Sequence, residues 1–307
     1  MASPTKEQWA LAAGLALMVA WGVNFAITKV VLAELGVWPF LFIRFLAMPL
    51  AGFALLLAVT RRHFPRTWPQ RADLPRFIAA GLIGHTAHVS LVMWGINLST
   101  AFSSSLVLTS SPLWTLLILS VLGAEKLRRR QLIGTLLAFA GIVVFLSDKF
   151  VRGVALAGAG DLVLLLAAAL FSLYTVISKP LVVRYGPLNL MCYSLLFGAP
   201  PLVLATLPAF LAAPLADVGA GVWFGVFWAV AVSSFLGWIA WAWVNSVRGL
   251  ARSAPLQYLM PPIAGFVAWI TLGETFTGLK IAGAVMALAG IAWAQSRAYN
   301  PTPPDAG

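Results

Sequence analysis

The chain has 307 residues, of which 61% are hydrophobic and 9% charged, and its mean hydropathy is +0.93. A soluble domain carries about 25% charged residues, so this composition excludes one with a polar surface all round. The net charge of +11, from 20 basic and 9 acidic residues, falls in the connections between apolar runs, a distribution that argues against a nucleic-acid partner.

In chain order, runs of about 20 apolar residues recur throughout, the length a helix needs to cross a bilayer. The first, 9–32, follows Lys6 and Glu7; it is too long for a signal-peptide core and has no small-residue cleavage site, so it is expected to remain as a span. On it Trp21, Asn24 and Thr28 fall at i, i+3 and i+7, a single stripe. The second, 39–59, holds Arg44, close enough to the outer end to snorkel. The third, 77–98, carries His85 and His88 one turn apart and a stripe of Ser90, Trp94 and Asn97. Each histidine is either a proton relay or gate, since imidazole titrates near neutral pH, or a neutral ring bonded to a neighbouring carbonyl. Two histidines without a cysteine or carboxylate nearby leave a zinc shell incomplete, so neither metal nor cofactor is expected.

The fourth run, 102–122, contains "SSSLVLTSSPLW" at 103–114. Pro112 removes a backbone donor and disturbs the Leu108 carbonyl, which lipid cannot satisfy. Neighbouring hydroxyls can; the remaining ones, Ser104 among them, either let helices approach closely or face a polar cavity. A fifth run, 131–147, completes the first half, and 160–178, 188–211, 221–245, 253–272 and 279–296 make up the second. The sixth run carries Phe171, Tyr174 and Ser178, and the seventh the lone Cys192, which excludes a disulfide framework. The eighth has a stripe of Ser234, Trp238, Trp241 and Asn245; the ninth begins "SAPLQYLMPPI", with Gln257, Tyr258, Pro261 and Pro262. Trp9, Trp38 and Trp293 stand near run ends, as interfacial-belt residues do. The tail 299–307, "YNPTPPDAG", is proline-rich and expected to be disordered.

Fifteen of the 20 basic residues fall on one side of the expected membrane: Lys6, the 61–76 and 126–130 clusters, Lys179, Arg184, Arg248, Arg252 and Arg297. The other side holds Lys29, Lys149, Arg152 and Lys280. This bias places both termini in the cytoplasm. All nine acidic residues lie in loops, tails or helix ends, so the usual mid-membrane carboxylate for proton or sodium coupling is missing.

Compared with itself at a shift of 150, the chain matches "WGVNFAITK" (21–29) with "FSLYTVISK" (171–179), Gly36 with Gly186 and Pro112 with Pro262. After a one-residue slip, "LGAE" (122–125) answers "LGET" (272–275), and Gly134 and Gly141 fall on Gly283 and Gly290. Residues 1–150 are therefore expected to form one five-helix repeat and 151–307 a second, ending in the tail. Five is odd, so the second repeat enters the membrane inverted, a plan common among secondary transporters with a midplane site between the halves. The expected fold is an all-α integral membrane protein of ten transmembrane helices. The aromatic and polar stripes nominate Trp21, Asn24, His88, Trp94, Asn97, Ser104, Tyr174, Ser178, Trp238, Trp241, Asn245, Gln257 and Tyr258 as substrate contacts, and Pro112, Pro261 and Pro262 as hinges.

Ten helices in an inverted repeat, with "TSSPLWTLLILSVLGAEKL" echoed by "YLMPPIAGFVAWITLGETF", resemble the drug/metabolite transporter superfamily, EamA type. The Trp-rich, uncharged interior is similar to that of the bacterial aromatic amino-acid and methyl-viologen exporters. The resemblance implies an inner-membrane exporter of neutral or aromatic amino acids, or related metabolites, working by alternating access. Its partners would be a small-molecule substrate and the lipid bilayer, with no nucleic acid; the oligomeric state stays open and a monomer is compatible. Two rivals remain: a broad exporter of drugs or dyes, and an intramembrane enzyme using Ser104 or Ser110 with His88. The chain has no G-x-S-x-G elbow for the latter.

Overall fold

The computed structural model describes residues 5–60, 68–123, 129–151, 155–249 and 253–295, and the regular structure among them is helical. Arg61, Arg62, Arg66, Glu125, Lys126, Arg128, Arg252, Arg297 and the tail 299–307 lie outside the described residues. Helix α1 covers Lys6–Leu35, opened by a reciprocal cap: Thr5 Oγ1 accepts from the Gln8 N–H at 3.2 Å, and the Gln8 side chain accepts from the Thr5 N–H at 2.8 Å. Gly36, at φ 80° and ψ 161°, ends it and turns the chain into α2, Val37–Thr60. Next come α3 (Arg71–Leu98), α4 (Ala101–Leu108), α5 (Ser111–Val121) and α6 (Arg129–Val151).

The helical run Ala155–Leu211 breaks at Gly186 (φ 80°, ψ 168°) into α7, 155–185, and α8, 187–211. Gly36 and Gly186 thus share one left-handed conformation, which a Cβ would strain, at the same place in each half. Beyond them lie α9 (Ala220–Arg248), a 3₁₀ segment Ala254–Leu259, α10 (Met260–Leu272) and α11 (Gly278–Gln295). Among the described residues, seven helical stretches are long and apolar enough to cross a membrane, with Gly158–Leu211 counted once, and Gly278–Ala294 is a shorter apolar helix. Leu50, Val143, Leu204, Phe224 and Val285 are exposed along them, as lipid-facing side chains are.

Two expected continuous spans are interrupted. The 102–122 run breaks at Thr109 and Ser110 between α4 and α5, and the 253–272 run starts as 3₁₀ helix before α10. Pro112 and Pro261 are each the second residue of the following helix, where a missing N–H costs nothing. Pro112 and Pro261 thus stand at helix starts just beyond the two breaks. The hydroxyls behave as expected: Ser111 Oγ donates to the Leu108 carbonyl at 2.6 Å, Ser110 Oγ to Val107 at 2.6 Å, and Thr109 Oγ1 to Ser105 at 2.7 Å. Two further irregularities were not legible in the sequence: one π-helical turn in α3 at Gly81–Ala87 and another in α9 at Trp228–Leu236. Such wide turns recur at functional sites.

Helices α6 and α11 pack backbone to backbone. A Cβ on Gly134 would sit 2.5 Å from the Ala294 nitrogen, and one on Gly141 2.3 Å from that of Ala287. On α11, a Cβ on Gly290 would come within 2.4 Å of the Ala138 nitrogen, and one on Gly283 within 2.4 Å of that of Phe145. The start of α6 meets the end of α11, so the two run antiparallel. The contacts are also reciprocal: Gly134–Ala294 answers Gly283–Phe145. Between lipid-bathed helices, dispersion between closely approaching backbones does the work that hydrophobic burial does in water.

Candidate functional site

A cavity of about 130 Å³ lies among α1, α2, α3, α7 and α9 and the two helix breaks. The space is large enough for a small molecule and not only for a single water. Both halves of the chain contribute: Trp21 of α1 and Phe171 of α7 at matching positions, Leu108 at the end of α4, Gln257 of the 3₁₀ segment, and Ser111 and Met260, the first residues of α5 and α10. Asn24, Phe25, Arg44, His88, Ser233, Ser234 and Trp238 also line it, with Val89, Val92, Met93 and Ile96 of α3. The wall is thus mostly rings and aliphatic chains with a few polar groups, the make-up of a small-molecule site. No acidic residue is part of it.

The aromatic side is built as one interlocked cluster. Trp238 packs on His85 at 4.8 Å between ring centroids, on Tyr174 at 5.4 Å and on Phe171 at 6.0 Å. Trp21 donates its indole N–H to the Ser233 carbonyl at 2.8 Å and tilts against Trp241 at 5.7 Å. That carbonyl lies in the π-helical turn of α9, where the wider pitch alters backbone pairing; Ser234 Oγ donates five residues back, to Ala229. His88 is hydrogen-bonded through Nδ1 to the Ala167 carbonyl at 2.9 Å. A carbonyl only accepts, so Nδ1 carries the proton and Nε2 is the ring's remaining acceptor when neutral. His85 Nε2 bonds Ser194 Oγ at 2.9 Å. His88 fits the carbonyl-bonded reading from the sequence, whereas His85 is bonded to a hydroxyl.

Of the nominated contacts, Trp21, Asn24, His88, Trp238 and Gln257 line the cavity. Tyr174 and Trp241 support it from behind, packed against Trp238 and Trp21 respectively. Others lie elsewhere. Trp94 is 48% exposed and Asn97 is also exposed, because their stripe on α3 is roughly 130° around the helix from the His88–Ile96 face, at 100° per residue. Ser104 is buried and bonds back to the Thr100 carbonyl at 2.7 Å. Ser178 is buried against its own helix, donating to the Thr175 carbonyl at 3.3 Å. Tyr258 packs beside Leu113, Ala138 and Ile291, away from the cavity wall. Asn245 is not part of the cavity wall; it stands about 16 Å along α9 from Ser234, at 1.5 Å per residue.

Arg44 is the main correction. It does not snorkel; it is 6% exposed and lines the cavity, so the interior is not uncharged. Serine hydroxyls nominated for catalysis are engaged locally, Ser104 with Thr100 and Ser110 with Val107, and His88 faces Ala167, so no nucleophile–base pair forms among them.

The EamA-like transporter family matches the chain twice, over residues 8–147 and 158–294. A probable terminal-alkyne amino-acid exporter of Streptantibioticus cattleyicolor is 29% identical over 94% of this chain and 92% of its own. A probable amino-acid metabolite efflux pump of Salmonella typhimurium is 26% identical over 90% of this chain and 91% of its own. A solved crystal structure superposes with a TM-score of 0.64 over 94% of this chain and 98% of its own, at 18% identity, and shares the fold.

Proposed function

The chain belongs to the EamA-like transporter family, and from that premise we propose that it exports amino acids or closely related small metabolites by alternating access. The carrying observation is the cavity, lined by residues of both halves and walled by rings and aliphatic chains with a few polar groups. We read the protein as ten membrane-spanning helices in two inverted repeats, residues 1–150 and 151–307. The double family match, the paired glycines Gly36 and Gly186, and the reciprocal α6–α11 contacts support this. Two inverted halves of similar structure can exchange conformations, which opens a midplane site to either side in turn. Basic residues concentrated on one side support cytoplasmic termini in a bacterial inner membrane.

Aromatic walls favour neutral substrates with an apolar or aromatic side chain, and the names of the relatives point to amino-acid compounds. A broad exporter of cationic dyes is the second reading; the cavity wall disfavours it, since it offers a cation and no carboxylate. Proteoliposomes of the purified protein decide the matter. Labelled leucine or phenylalanine is expected to cross faster than in empty liposomes. No excess flux of either, with dye efflux instead, would sink the amino-acid reading.

A further inference from the structure

We infer that the cavity selects substrates by a free carboxylate, held by Arg44, with the substrate's amino group taken by Asn24. This rests on the transporter reading above and names the substrate chemistry of that same cavity. Arg44 is buried, and its Nε has no hydrogen-bond partner among the described residues. No carboxylate of the described residues lies within ion-pair distance of it. Among the described residues its one ring contact is with Phe45, its chain neighbour, at 6.0 Å, the outer limit of a cation–π interaction. A guanidinium stays charged at every physiological pH and presents five donors in a planar fork. Burying such a group without a counter-ion is strongly unfavourable. His88, bonded through Nδ1 to a carbonyl, offers only a neutral Nε2 and no counter-charge.

Asn24 presents the complementary deficiency in the same cavity: its side-chain Oδ1 is buried with no donor. One orphaned cation and one orphaned acceptor, set in a wall of rings, match the two ends of an amino acid's head group, with its side chain on Trp21, Phe171 and Trp238. The carboxylate would take charge-assisted hydrogen bonds from Arg44, the stronger kind. The asymmetry between the halves fits this assignment. At the position matching Arg44 in the second half stands Ser194, whose hydroxyl is already bonded to His85. The anchoring charge therefore travels with the first half alone as access alternates. Compounds sharing the apolar body but lacking the carboxylate would leave the guanidinium buried and unpaired, and would be rejected.

The test is a ligand series on one side chain: phenylalanine, phenylalanine amide, phenethylamine and 3-phenylpropionate, each as a stabiliser of the purified full-length protein in a thermal-shift titration and as a competitor of labelled phenylalanine flux. Phenylalanine and 3-phenylpropionate are expected to bind, phenylalanine more tightly. The amide and the amine are expected to bind at least tenfold more weakly, an uncompensated buried charge being worth at least that factor. Arg44→Gln is expected to weaken phenylalanine by about 10- to 100-fold and erase the preference over the amide, while Arg44→Lys keeps part of it. Should Arg44→Gln fail to fold, the wild-type series still decides. Amide or amine binding as tight as phenylalanine overturns the carboxylate anchor and leaves the transporter reading standing. If none of the four binds and no labelled amino acid crosses, the amino-acid reading falls and this inference with it.

Discussion

Glu274 Oε1 accepts a hydrogen bond from the Ala101 backbone N–H at 2.6 Å, and Oε2 one from Phe102 at 3.3 Å, so an acid of the second half closes the start of α4 in the first. The first turn of a helix leaves N–H groups unpaired and carries the positive end of the dipole, both met here by one carboxylate. The glutamate of "LGET" is thereby a cap that ties the C-terminal half of the chain to the start of α4. Glu274→Ala is expected to lower the stability of the detergent-solubilised protein by about 1–2 kcal/mol. Glu274→Gln should cost less, since an amide oxygen still accepts. Thermal unfolding measures both, and identical melting of all three proteins would remove the cap's role.

Pro112 and Pro261 each stand second in a helix that begins at a break beside the cavity. At that position proline suits the helix start, so replacing it is expected to change stability by less than about 1 kcal/mol. Alanine restores a donor and lets the flanking half-helices join. Pro112→Ala, Pro261→Ala and Pro262→Ala are therefore expected to slow flux per folded molecule more than they reduce the amount of folded protein. Size-exclusion recovery set beside initial flux reads the two effects apart; a parallel loss would make these prolines packing features.

Trp238 and Trp94 separate a cavity ring from a peripheral one. Trp238→Ala removes a side chain packed on His85 and Tyr174 and is expected to raise the apparent KM for an aromatic amino acid about tenfold, or roughly 1–1.5 kcal/mol of ring contact. Trp94, 48% exposed, is expected to tolerate alanine with KM unchanged. Concentration-dependent flux into proteoliposomes provides the comparison, and equal effects would contradict the placement of the cavity.

The sequence by itself determined the class of the protein and its internal echo. Long apolar runs need no partner to be recognised, because the bilayer sets their length. The offset of 150 is likewise carried in the order of residues, and it reappears in the backbone at Gly36 and Gly186. Part of the site was legible for the same reason: Trp21, Asn24, His88, Trp238 and Gln257 stand out as polar or ring residues in apolar runs. Which face of a helix looks inward was decided only by its neighbours. Ser90, Trp94 and Asn97 form as regular a stripe as any, yet α7 and α8 pack so that the opposite, largely aliphatic face of α3 borders the cavity. Tertiary structure also decided the fate of Arg44. Its distance along α2 allows it to reach the interface, but packing around α2 turns it inward, where its charge needs a partner that no described residue supplies. Periodicity gives relative angles on one helix; only packing between helices fixes where zero lies.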